Sequence, residues 1–173
     1  MNRSRFELLG IKDEIDLYDC VQIPSYVNDQ VFKCRVVYSK QIINIDFELY
    51  RMRKIDKLLL VESDLDYSYK YVDRKNILQL MKGIKPNEDI LIIRNGFVTD
   101  SSYANVCFWD GNKWLTPDKP LLKGTKRHKL LDDGAIEEAK IRMKDLEKFE
   151  KLCLINGLVE LEELICKSKK IKL

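Results

Sequence analysis

The chain has 173 residues, enough for one substantial core or for two small lobes that share an interface. Hydrophobic residues make up 45% and charged residues 34%, an ordinary globular composition that argues against intrinsic disorder. The formal net charge is +3 with both signs well mixed, so the footprint of a nucleic-acid binder is missing; no apolar run reaches membrane-spanning length, and MNRSRFELLG lacks a signal-peptide core.

In chain order, SRFELLG and DEIDLYDCVQI are predicted to be helical, broken at Gly10 and ended by Pro24. VFKCRVVYSKQIINIDFELY is dense in β-branched and aromatic residues and reads as two strands joined at Ser39-Lys40-Gln41. The polar join RMRKID marks a lobe boundary, which divides the chain into residues 1–52 and 53–173. KLLLVES is expected as a buried strand, and DRKNILQLMKG as a helix closed by Gly83 and Pro86. A meander follows, with hairpin turns at Asn95-Gly96 and Asp110-Gly111. TKRHKLLDDG predicts a helix with Thr125 as N-cap and Gly134 past its end. AIEEAKIRM is read as a strand, KDLEKFE as a helical turn or two, KLCLIN as a buried strand and VELEELI as a closing helix. The basic tail CKSKKIKL is expected to be a solvated end. The fold class is α+β, mostly antiparallel, in two lobes.

Cys20, Cys34, Cys107, Cys153 and Cys166 form no CxxC, and His128 is the only histidine, so neither a zinc site nor a disulfide framework is expected. Cys34, Cys107 and Cys153 lie in apolar runs and read as small buried hydrophobes. The cytosol is the compartment expected from this cysteine usage.

Three stretches hold candidate chemistry. Lys70 sits in DYSYKYVDRK, where Tyr67, Tyr69 and Tyr71 would desolvate its ammonium and lower its pKa, as an amine nucleophile requires; a surface lysine is the alternative. Asp100, in VTDSS, is either a turn former or the acid partner of a pyridine nitrogen. In LLKGTKRHKLL, Lys126, Arg127 and His128 fall in the first turn of a predicted helix, the wrong end for cations. An anion bound there, with Gly124 letting the backbone come close, would relieve this; an ordinary basic helix start is the other reading.

Together these stretches resemble the class IV aminotransferase family, the fold type IV enzymes that use pyridoxal 5'-phosphate (PLP). That resemblance implies a two-lobed, D-amino acid aminotransferase-like fold of mostly antiparallel sheets with flanking helices. YKYVDR matches the family's lysine, so Lys70 would hold the cofactor covalently and move the proton. FVTDSSYANVCFW resembles the V-T-E-x-x-x-x-N block, which assigns Asp100 to the pyridine nitrogen and Asn105 to the shaping of the turn. PLLKGTKR resembles L-x-G-[IVT]-x-R, so Gly124, Thr125 and Lys126 would hold the cofactor phosphate. LCLINGL resembles the late strand near the active site, with Asn156 at the matching place. Arg53 is the candidate contact for a substrate carboxylate, with a solvated linker charge as the other reading.

The compact form is most similar to the 4-amino-4-deoxychorismate lyase-like branch. The implied activity is release of pyruvate from 4-amino-4-deoxychorismate to give p-aminobenzoate. Class IV transamination of an amino acid is the second reading, and a truncated, non-catalytic interaction subunit the third. The third arises because the family's earlier H-x-x-R is not matched, Arg3 and Arg5 falling a few positions too late. By resemblance the partners are a small-molecule substrate, a second copy of the chain in a homodimer and the chorismate-amidating subunit; no metal is expected.

Overall fold

The computed structural model describes residues 1–167 together with 171 and 172, with the backbone alone at 167, 171 and 172. The chain divides into two compact units, Met1–Met52 and Arg53–Leu173.

In the first unit, helix α1 (Asn2–Leu9) and the single turn α2 (Leu17–Cys20) precede the hairpin strands β1 (Phe32–Tyr38) and β2 (Ile42–Leu49). The expected helix over DEIDLYDCVQI is only this one turn, with Asp16 capping the Tyr18 amide and Val21 already extended. The hairpin is amphipathic because its register puts like with like. Lys33 faces Glu48 and Arg35 faces Asp46, while Phe32, Cys34 and Val36 stand opposite Leu49, Phe47 and Ile45. Cys34 is exposed, contrary to its reading as a buried hydrophobe.

Arg5 organises this unit. Its side chain is 1% exposed and donates to the Lys40 carbonyl (2.8 and 3.2 Å), the Asp13 carbonyl (2.6 Å) and the Asp13 carboxylate (2.9 Å). One guanidinium thus ties α1 to both the 13–16 segment and the hairpin turn. Arg5→Met keeps the apolar stem but strips the donors from these carbonyls, and should cost about 1–3 kcal/mol. Hydrogen exchange of the β1 and β2 amides should accelerate.

The second unit is built on a nine-stranded sheet. Its elements are β3 (Lys57–Glu62), α3 (Lys75–Leu80), β4 (Glu88–Arg94), β5 (Phe97–Ser101), β6 (Asn105–Trp109), β7 (Trp114–Pro117), α4 (Thr125–Asp132), β8 (Glu137–Ala139), a 3-10 helix (Met143–Lys148), β9 (Lys151–Ile155), β10 (Ile165–Lys167) and β11 (Ile171–Lys172). The sheet order is β10-β9-β6-β5-β4-β3-β11, with β7 on β6 and β8 on β7. The β4–β5 and β6–β7 hairpins form where Asn95-Gly96 and Asp110-Gly111 predict them. Asn95 (φ 52°) and Gly96 (φ 76°) adopt the paired left-handed backbone of a tight hairpin.

The sheet is more mixed than expected: β3–β4, β7–β8 and β3–β11 are parallel. VELEELI is not a closing helix. Glu162 takes φ 69° and accepts the Trp114 indole N–H at 3.0 Å, and the chain then enters β10. The tail is therefore not simply solvated, because Cys166 in β10 is 2% exposed; residues 168–170 and 173 lie outside the described residues. The core rests on β4, β6 and β9, whose alternate residues feed two clusters. Ile90, Ile92 and Leu121 gather Tyr67 and Leu80, while Cys107, Trp114, Cys153 and Ile155 gather Leu130 and Leu131.

Candidate active site

β5 is buried from Val98 to Ser101, because β4 and β6 flank it. Thr99 spends its hydroxyl on the Ile92 carbonyl at 2.8 Å. Ser101 closes the turn to β6: its oxygen accepts the Ala104 amide at 3.1 Å and its hydroxyl donates to the Ala104 carbonyl at 3.2 Å. The Thr99 hydroxyl is therefore spent across the sheet and the Ser101 hydroxyl within its own turn.

Asp100 is 5% exposed and stands in register with Asn105, which is 6% exposed. The Asn105 amide donates to Asp100 Oδ1 at 2.7 Å and to the Leu122 carbonyl at 2.8 Å. The Leu122 amide in turn donates to Asp100 Oδ2 at 2.8 Å. Burial pushes the Asp100 carboxyl up to about 6. The Leu122 amide, the Asn105 side chain, the Leu121 amide and the nearby Arg127 charge hold it from rising further.

Immediately after this circuit the chain turns into α4. Gly124 is the N-cap, in extended backbone, and a Cβ there would lie 2.2 Å from Asn105 Oδ1, so glycine is required for close approach and not for its φ. Thr125 is the first helical residue and makes no side-chain cap, a correction to its expected role. The first turn of α4 still presents amides with no helical partner, since His128 is the first to bond back, to the Gly124 carbonyl at 3.0 Å. Its cations have acid partners of their own. Lys126 pairs with Glu160, His128 lies 3.4 Å from Asp132, and Arg127 points inward, donating to the Pro117 carbonyl (2.8 Å) and Glu138 (2.6 Å). The misplaced-cation argument for an anion therefore falls away, and the free amides beside Gly124 carry that expectation instead.

Lys70 lies in the irregular segment between β3 and α3 and is exposed. Beside it, Tyr71 packs edge-on against Tyr67 (6.3 Å) and Tyr69 (6.0 Å). Two contacts bring its segment toward Asp100. Tyr67 packs on the cluster containing Leu121, and Arg74 donates to the Ser102 carbonyl at 2.6 Å. Arg53 stacks over the Tyr103 ring at 4.9 Å, donates to the Glu88 carbonyl at 3.0 Å and lies 4.0 Å from the fully buried Asp89. Desolvation raises the Asp89 carboxyl, and Arg53 is its counter-charge. The Asn156 side chain accepts the Leu158 amide at 2.8 Å, within its own turn.

Direct hydrogen bonds thus join Asp100, Asn105 and the Leu122–Gly124 turn, with Arg74 linking the lysine segment to Ser102 in the β5–β6 loop. Leu122, Arg74 and Arg127 escaped assignment in the sequence. Arg127 is the arginine of the L-x-G-T-x-R pattern and Arg74 the one following Lys70, so both carried a signal. Leu122 acts through its backbone and carried none.

A buried, anionic acid beside a glycine-permitted helix start is the donor set a pyridinium phosphate needs, and the chain fits PLP in this respect. Residues 37–162 match the family described as amino-transferase class IV, and the chain belongs to that family of PLP-dependent enzymes. It is 38% identical over 145 residues to an uncharacterised protein of Haemophilus influenzae, covering 83% of this chain and 77% of that one. A solved candidate 4-amino-4-deoxychorismate lyase from Haemophilus somnus shares 30% identity at a TM-score of 0.72, covering 92% and 88% of the two chains. A hypothetical aminotransferase of Mycobacterium tuberculosis, solved with α-ketoglutarate and PMP bound, shares the fold at a TM-score of 0.60 and 14% identity, covering 74% and 53%.

Proposed function

We propose that the chain is a PLP-dependent lyase that converts 4-amino-4-deoxychorismate to p-aminobenzoate and pyruvate. The observation that carries this is the buried Asp100, held by the Asn105 side chain of β6 and by the Leu122 amide just before α4. The substrate class rests on the likeness to the Haemophilus somnus protein over nearly the full length of both chains.

PLP, when bound, supplies an electron sink for the carbon that bears the substrate amine. Asp100 would hold the pyridine nitrogen protonated, which that sink requires. Gly124 and the Thr125 and Lys126 amides would receive the phosphate, with the Lys126 ammonium shared with Glu160. Lys70, exposed and so able to meet a ligand, would hold the cofactor and then take and return a proton at Nζ. Arg53 and Asn156 are the candidate contacts for substrate, and a homodimer is the assembly we infer.

Adding PLP to the chain should produce a visible absorbance band. Borohydride reduction followed by mass spectrometry should place the label on Lys70. Pyruvate release from 4-amino-4-deoxychorismate should follow. Label scattered over surface lysines would defeat the enzyme reading and favour a non-catalytic relative. Conversion of an amino acid to its keto acid without pyruvate release from the chorismate amine would establish transamination, the activity in the name of the Mycobacterium tuberculosis neighbour.

A further inference from the structure

The resemblance gives Asn105 the shaping of its own turn within the cofactor site, and its hydrogen bonds give it a further task beyond that turn. The residue is 6% exposed, and both of its amide hydrogens are already committed, to Asp100 Oδ1 and to the Leu122 carbonyl. That commitment fixes the amide's orientation, since its only other polar atom, Oδ1, must face away from two acceptors. Oδ1 indeed faces Gly124, closely enough that no Cβ fits between them. The Leu122 amide completes a closed circuit on Asp100 Oδ2.

We infer that Asn105 is a positioning residue that clamps the Asp100 carboxylate to the Leu122–Gly124 turn, so that the acid and the start of α4 are set as one unit. The role rests on the PLP reading of the site, but the clamp itself does not need the cofactor. Its logic is that Oδ1 accepts from Asn105, which also donates to the Leu122 carbonyl, while Oδ2 accepts from the Leu122 amide. Protonating Asp100 weakens the charge-assisted bonds that it accepts and so loosens the turn, and displacing the turn removes the donors that keep Asp100 charged. The groups bearing on Asp100 are Asn105 from β6, the Leu121 and Leu122 amides, and Arg127 from α4 as the charged neighbour.

The clamp can be read in the unmodified chain by NMR, without PLP. The Asp100 carboxyl carbon, the Asn105 side-chain amide and the Leu122 amide should titrate together, with one midpoint near 6. A residue that merely filled space would leave the two amides unmoved between pH 5 and 7, and that result would overturn the inference.

Two variants extend the test. Asn105→Ala should raise the Asp100 midpoint by about 0.5–1 unit. Gly124→Ala, which keeps Asn105 but pushes its amide aside, should move the midpoint in the same direction. Each should weaken PLP binding about tenfold, the equivalent of one lost hydrogen-bonded contact. An unchanged Asp100 midpoint in a folded Asn105→Ala chain would sink the clamp even if PLP still labels Lys70. Co-titration without any labelling of Lys70 would keep the clamp and defeat the cofactor reading.

Discussion

Lys70→Ala is expected to abolish borohydride-fixed labelling by PLP at this position and to reduce pyruvate formation by about a thousandfold or more. Lys70→Arg should do the same, although it keeps the positive charge. A guanidinium stays protonated at any working pH and can neither add to a carbonyl as an amine nor accept a proton. If the arginine variant kept turnover, Lys70 would be acting as a charge and not as a nucleophile and base. Stability should change by less than about 0.5 kcal/mol in either variant, because the side chain is exposed in an irregular segment. The loss can then be read as chemistry and not as unfolding.

Asp100→Asn has the second largest expected effect, and it splits into two separable parts. Activity should fall by about a hundredfold or more, since a neutral amide cannot keep a pyridine nitrogen protonated. Stability should respond to pH. In the folded chain the Asp100 carboxyl sits at about 6, above its ordinary 3.8. The folded state therefore binds this proton more readily than the unfolded chain. The resulting stabilisation is present below pH 4, declines as pH rises toward 6 and is gone above it.

The gap of about two pKa units corresponds to roughly 3 kcal/mol. At low pH the Asn variant should be less stable than the parent, because its NH2 group meets the Leu122 or Asn105 donor. Between pH 4 and 7 it should recover up to about 3 kcal/mol relative to the parent. Urea unfolding followed by Trp109 and Trp114, both within the second unit, gives this difference directly. A difference that stays flat over that range would mean that Asp100 is not held as a buried, ionising acid.

Much of the fold was legible where local backbone demands decide the outcome. Asn95-Gly96 and Asp110-Gly111 predict hairpins because few other residue pairs accept the required backbone, and both form. Asp100 could be singled out because an acid followed by two serines is ambiguous only until Lys70 and Gly124-Thr125 are seen in order and spacing. The errors fell where tertiary partners override local preference. VELEELI has the composition of a helix, yet Trp114 and the edge of β9 draw it into a turn and a strand. DEIDLYDCVQI keeps a single helical turn, and nothing in it signals that Arg5 takes the Asp13 carbonyl upstream of that turn.

The sequence by itself determined the order of the site's parts, the family and the two hairpins, because these depend on residue identity at fixed spacing. Only the tertiary structure decided what each part does. In it Ser101 bonds within its own turn, Arg127 points inward to the Pro117 carbonyl, Asn105 donates to Asp100 and to the Leu122 carbonyl, and Lys126 pairs with Glu160. The physical reason is that hydrogen-bond partners are chosen across the sheet. Asp100 meets Leu122 over a separation that no local pattern can encode, and whether a carboxylate is buried and held is a property of those partners.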